Sequence, residues 1–138
     1  MGQPKTVKYL LDTFTFLLWI SNSESLPTRV LEAIRSPDNS IFLSIISARE
    51  MQIKSQVGRL DLSSKVLDIV MSQNKENGIE VLPISLTHLA ALTQLPNYHG
   101  DPFDYLLISQ AQIEDMTIIT NDPLITQYPV KTWWGKPI

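Results

Sequence analysis

The chain contains no cysteine. That excludes a disulfide framework, a thiol nucleophile and a thiolate metal site, and it suits a reducing, cytoplasmic setting. Glycine is scarce, with 5 residues in 138, and no Gly-rich loop of the kind that cradles phosphates can be found. Excess positive charge is missing: 11 Lys and Arg stand against 14 Asp and Glu, for a formal net charge of −3. A bulk electrostatic grip on nucleic acid is thereby excluded, so any such contact has to be local and metal-assisted. Arg49, Lys54 and Arg59 lie close in sequence, but their five-residue steps scatter them around a helix. A membrane span is not expected either, because the most apolar stretch, YLLDTFTFLLWI, is interrupted by Asp12 and too short for a bilayer. No secretory signal, internal repeat or linker is visible.

What is present fits one domain, residues 1–138, with an apolar fraction of 43% and a charged fraction of 18%. MGQPKT, residues 1–6, reads as a loose tail. Short apolar strands are expected at VKYLL, IFLS, IEVLPI and MTIIT, with VKTWW as a short final strand. Helices are expected between them. One opens after Asp12; one follows Ser25 and Pro27, with Ser25 as a cap; SAREMQIKSQVG ends at Gly58; and SSKVLDIVMSQNKENG has Val66, Ile69, Val70 and, less cleanly, Leu67 on its buried side. A further helix starts at Ser85, and another runs from about Pro102 to Glu114. Strands alternating with helices, without a tight hairpin signal, predict an α/β fold with a mainly parallel sheet of four to five strands covered on both faces. In such sheets, ligands bind beyond the carboxyl ends of the strands.

Several carboxylates fall at those ends. Asp12 follows YLL and opens a helix; Asp122 follows TIIT; Glu50 lies just beyond a strand; Asp101 and Asp104 stand three apart at the mouth of PFDYLLISQA. Each has a plain structural explanation. Asp12, Asp101 and Asp122 are good N-caps, the last two followed by proline. Ser47 and Glu50 spell a capping box, S-x-x-E, and Glu50 has Lys54 at i+4. As a set they are harder to explain as caps alone. A parallel sheet gathers the strand-end acids at one edge, where unpaired carboxylates raise one another's pKa. A hard divalent cation, Mg²⁺ or Mn²⁺, removes that penalty and favours oxygen ligands. Capping and metal binding can coexist.

Other residues carry less. His88 is expected at a surface or boundary, and His99 near the aspartates could touch a phosphate; two isolated histidines make no zinc pattern. No Ser-His-Asp arrangement can be argued. Trp133 and Trp134 read as packing residues. Phe14, Phe16, Leu17 and Leu18 read as core, with any exposed part suited to a partner helix.

The four acid stations, in the texts LLDTFTFLLW, SIISAREMQIKSQVGRL, HGDPFDYLLISQA and IITNDP, resemble the PIN domain, and most closely the VapC-type ribonuclease toxins of prokaryotic toxin–antitoxin systems. The resemblance runs from about Tyr9 to Trp133. It implies a three-layer α/β/α fold and a Mg²⁺-dependent endoribonuclease, with Mn²⁺ as a substitute, leaving 5′-phosphate and 3′-hydroxyl ends. It assigns Asp12, Glu50, Asp104 and Asp122 as the metal-binding catalytic acids, Asp101 as an accessory acid, and Thr13 and Thr120 as supporting hydroxyls. It further implies an RNA substrate, a small antitoxin partner and a homodimer. This chain departs from the pattern in four places. Phe14 stands where that branch often has histidine, Arg49 where it often has tryptophan, and Gly100 and Tyr105 where basic residues are common. The lost basic residues motivate a rival reading, a PIN-fold interaction module without activity. A second rival, an aspartyl-phosphate domain, lacks its expected lysine after TIITND.

Overall fold

The structure, a computed structural model, describes residues 7–136; the tail expected at 1–6 lies outside them. The order is β1 (Lys8–Leu11), α1 (Thr13–Ile20), α2 (Thr28–Arg35), β2 (Ser40–Ser44), α3 (Ile45–Gln56), α4 (Val66–Asn77), β3 (Glu80–Leu82), α5 (Leu86–Ala91), α6 (Pro102–Glu114), β4 (Thr117–Ile119), α7 (Pro123–Thr126) and β5 (Thr132–Trp133). A 3₁₀ turn, Leu92–Gln94, extends α5. The strands form one five-stranded sheet in the order β3-β2-β1-β4-β5, with every pairing parallel.

The apolar strands are buried on both faces, which is why they lack a polar alternation. Leu10 sits in register with Phe42 and Ile118, and all three face the layer built by Leu107, Ile108 and Ala111 of α6 with Ile125 and Tyr128. Leu11, in register with Leu43 and Ile119, faces the opposite layer, where Phe16, Val30, Ile34, Met51, Val66 and Val70 come from α1 to α4. A one-residue slip would exchange the two sets. Trp133 stacks on Tyr9 with centroids 5.4 Å apart, and Trp134 packs on the same core, so both tryptophans are packing residues as expected.

The chain winds from β1 outward to β2 and β3, then returns to the other side of β1 for β4 and β5. The winding therefore reverses between β1 and β4, the usual position of a ligand crevice. The two strand ends are tied there by the Asp12 amide, which donates to the Ile119 carbonyl at 3.3 Å, and by Thr15 Oγ1, which donates to the same carbonyl at 2.9 Å.

Several local expectations need correction. Helix α2 is preceded by Pro27 without a side-chain cap, so Ser25 does not cap it. Helix α3 begins directly on β2, capped by Ser44, whose Oγ accepts from the Ile46 amide. Ser47 is therefore inside the helix, buried and without a hydrogen-bond partner among the described residues, and the S-x-x-E box does not form. Leu67 points outward from α4 while Val66 and Val70 point in. Phe14 is 61% exposed, whereas Phe16 on the other side of α1 is fully buried. His88 is buried: it closes the capping box of α5 with Ser85. Gly78 ends α4 at φ +67°, a left-handed turn that glycine adopts without a Cβ penalty.

Candidate active site

Asp12, Thr13, Glu50, Asp101, Asp104 and Asp122 line one cleft of about 180 Å³ at the carboxyl ends of β1 and β4, together with Phe14, Leu17, Lys54 and Ile125. Four elements supply the acids. Asp12 caps α1 straight after β1, Glu50 projects from α3, Asp101 and Asp104 belong to the first turn of α6, and Asp122 caps α7 after β4. A larger hollow of about 600 Å³ near Ile20, Asp61, Asp68 and Gln73 lies away from the point where the winding reverses and gathers fewer acids.

Each cap is real. Asp12 Oδ1 accepts from the Thr15 amide at 2.7 Å, Asp101 Oδ1 from the Phe103 and Asp104 amides at 2.9 and 3.3 Å, and Asp122 Oδ1 from the Leu124 amide at 2.9 Å. Capping uses one oxygen of each carboxylate and leaves further lone pairs. The two threonines fix what remains. Thr120 Oγ1 accepts from the Asp122 amide at 3.0 Å, so its proton is given to Asp12 Oδ2. Thr13 Oγ1 donates to Glu50 Oε1 at 2.6 Å, and Lys54 Nζ reaches Glu50 Oε2 at 2.8 Å. The i,i+4 pair expected from sequence thus forms, but at the cleft wall rather than on a remote surface. His99 Nε2 lies 3.0 Å from Asp104 Oδ2.

The cleft is costly to charge. Burial raises the Asp12 carboxyl above its ordinary value; hydrogen bonds from Thr120 and Thr15 act against this, and nearby Asp122 adds to it. Asp104 is pushed up to about 6, chiefly by burial, with His99 opposing and Asp101 and Asp122 reinforcing. Among the described residues, no three potential ligands stand together as a preformed ion cage. The donor set nevertheless fits a hard dication: five carboxylates face a single ammonium across the cleft lining, the charged groups able to ligate a metal there are all carboxylates, and an anionic substrate would be repelled without a cation.

Sequence reasoning placed the acids and both threonines at one site, and the structure brings them together. It left His99 without an assigned partner: Asp104 lies only five residues on, but Tyr128, on the other ring nitrogen, is 29 residues away. Lys54 was legible through its spacing from Glu50.

The family model for the PIN domain matches residues 9–131. The chain belongs to the PIN domain family. PIN domains are nucleases that generally use divalent metals, so the family supports a hydrolase acting on nucleic acids. No curated protein matches the chain. Among solved structures, a chain of the VapBC2 assembly from Rickettsia felis, bound to a promoter DNA fragment, matches with a TM-score of 0.69 at 21% identity, covering 92% of this chain and 98% of that one. VapBC-1 from nontypeable Haemophilus influenzae gives 0.65 at 16% identity, covering 94% and 100%. FitAcB from Neisseria gonorrhoeae gives 0.61 at 19% identity, covering 91% and 96%. At these identities the likeness is one of fold. Among the described residues, no helix is long and apolar enough to cross a membrane.

Proposed function

We propose that this PIN domain is a Mg²⁺-dependent endoribonuclease, with Mn²⁺ able to substitute, that hydrolyses RNA phosphodiester bonds as the VapC-type toxin of a toxin–antitoxin pair. The observation that carries the reading is the convergence of Asp12, Glu50, Asp104 and Asp122 on one cleft where the sheet's winding reverses. The VapBC assemblies among the structural neighbours support an antitoxin partner, and the resemblance of the sequence to VapC toxins adds a homodimer. A cytoplasmic site of action goes with this reading.

Asp12, Glu50, Asp104 and Asp122 would hold the ion. When bound, it would supply Lewis-acid polarisation of the scissile phosphate and a lowered pKa for water. The chain's own residues set the stage. Thr120 and Thr13 orient Asp12 and Glu50 by the hydrogen bonds they donate. Asp101 holds the first turn of α6 and so places Asp104. The amino ends of α1 and α6 add positive potential beside an anionic substrate. Lys54, half exposed at the cleft wall beside Glu50, would offer its ammonium to a substrate phosphate.

Purified protein is incubated with single-stranded RNA and Mg²⁺ or Mn²⁺. The expected result is cleavage leaving 5′-phosphate ends, lost with EDTA and in Asp12→Asn. Undiminished cleavage by that variant overturns the assignment. Beside the lost basic residues, the inactive-module reading has one structural observation in its favour, that both oxygens of Glu50 are engaged by Thr13 and Lys54. Absence of Mn²⁺ binding in solution would decide for it.

A further inference from the structure

Tyr128 lies in the core below the cleft, 3% exposed. Its hydroxyl oxygen receives the backbone amides of Tyr98 and His99, each at 3.3 Å, and lies 2.8 Å from His99 Nδ1. A phenol has one proton to give. With two N–H groups already aimed at its oxygen, that proton goes to Nδ1. Tyr105, whose ring packs edge-on against Tyr128, gives its own proton to Asn97 Oδ1 and so adds no third donor to the Tyr128 oxygen. His99 Nδ1 is then an acceptor, and the ring proton sits on Nε2, 3.0 Å from Asp104 Oδ2. The imidazole packs against both the Tyr105 and the Tyr128 ring, each centroid 5.4 Å away, and those two rings touch each other with centroids 5.9 Å apart.

We propose that His99 is a positioning residue for Asp104: fixed as the Nε2–H tautomer by the Tyr128 hydroxyl, it holds Oδ2 and so presents Oδ1 to a metal ion. The inference rests on the metal-dependent reading of the cleft, and extends it to a relay Tyr128–His99–Asp104 that begins in the core. Without the relay the Asp104 carboxylate can rotate, and a carboxylate that must be ordered at the moment of binding holds an ion less tightly. Partners that orient a ligand in this way are worth about 10- to 100-fold in metal affinity.

The test uses two measurements on the whole chain. Nitrogen-15 NMR of the metal-free protein reads the His99 tautomer. The expected signals are those of a neutral ring protonated at Nε2, with the preference lost in Tyr128→Phe; a ring protonated at Nδ1 overturns the inference. Calorimetric titration with Mn²⁺ then compares wild type, His99→Ala and His99→Gln. His99→Ala is expected to weaken binding about 10- to 100-fold. His99→Gln, whose amide can donate from near the Nε2 position, is expected to restore most of it. Equal affinity in wild type and His99→Ala overturns the inference. A wild type that binds no Mn²⁺ breaks the metal reading instead, and the tautomer measurement, made without metal, still judges the relay. If His99→Ala fails to fold, the Gln variant and the NMR signature decide.

Discussion

His88 and His99 make nearly the same bond. His88 Nδ1 accepts from the Ser85 amide at 3.0 Å, and Nε2 lies 2.8 Å from Glu114 Oε2. His99 Nδ1 accepts from Tyr128, and Nε2 lies 3.0 Å from Asp104 Oδ2. In both, a donor to Nδ1 fixes the ring and Nε2 meets a carboxylate. What differs is which partner is inside. His88 is 2% exposed while Glu114 is 38% exposed; His99 and Asp104 are 11% and 13%. In the first pair the imidazole is the buried element. It closes the start of α5, its backbone carbonyl accepts from Ser109 of α6, and Glu114 remains solvated. In the second pair the carboxylate is confined beside Asp101 and Asp122, and burial raises its pKa to about 6. The hydrogen bond is common to both. The field around the carboxylate decides whether a His–acid pair ties two helices together or serves a site.

Replacing the carboxylates tests that distinction with the largest expected effect. Asp104→Asn is expected to lower RNA cleavage about 10³-fold or more, equivalent to about 4 kcal/mol, because the neutral amide cannot offset a cation's charge. Glu114→Gln is expected to leave cleavage within about twofold, since it keeps an acceptor for His88 in a solvated position. Equal losses in the two variants would break the comparison. Removing the imidazoles reverses the ranking. His88→Ala empties a buried site and leaves the Ser85 amide without its partner, at a cost of about 2–3 kcal/mol in folding stability. Urea unfolding measures that cost, and the Mn²⁺ affinity of the folded variant is expected to be unchanged. A loss of Mn²⁺ affinity there would mean that α5 is coupled to the cleft.

How much of this was legible in the sequence follows the range of each interaction. The strands and their parallel order were legible because apolar runs alternate with helices. In the acid set, Asp12, Glu50 and Asp122 were legible from their places beyond strand ends, and Asp101 and Asp104 from theirs at the mouth of an apolar helix. Local chemistry with more than one solution was misread. Ser44 and Ser47 both precede Glu50, and the helix took the earlier serine because α3 starts on β2 without a loop. Ser85 and His88 stand three apart, as a capping box requires, but with histidine where glutamate or glutamine is the familiar signal, so a buried residue read as a surface one. Phe14 and Phe16 look alike in an apolar run, and only the packing of α1 turns one inward and the other toward the cleft mouth. The role of His99 was out of reach. Tyr128 is 29 residues away and arrives by tertiary packing.

The smallest expected effect reads the confined carboxylate by pH. Asp104 titrates near 6 in the folded chain, against about 3.9 for an aspartate in an unfolded one. Between those values the folded state binds more protons than the unfolded state, so stability falls as pH rises from about 4 to about 6. The penalty is absent below the unfolded pKa and complete above the folded one. At about 1.4 kcal/mol per unit its limit is about 3 kcal/mol; solvent entering the cleft reduces this to about 1–2 kcal/mol. Asp12, also raised by burial, acts with the same sign. Asp115, held low by Lys131 on the surface, acts with the opposite sign, contributing stability that is lost as pH falls. The slope of the wild type is therefore a sum, and the informative quantity is the difference from Asp104→Asn. That variant is expected to be more stable than wild type at pH 7 and equally stable at pH 4, by urea unfolding at each pH. Saturating Mn²⁺ is expected to raise the pH 7 stability of the wild type more than that of Asp104→Asn, because the variant lacks one of the ionised carboxylates whose penalty a cation offsets. A wild type and Asp104→Asn that differ equally at pH 4 and pH 7 would show that confinement in the cleft costs Asp104 nothing, and the contrast between the two pairs would fail.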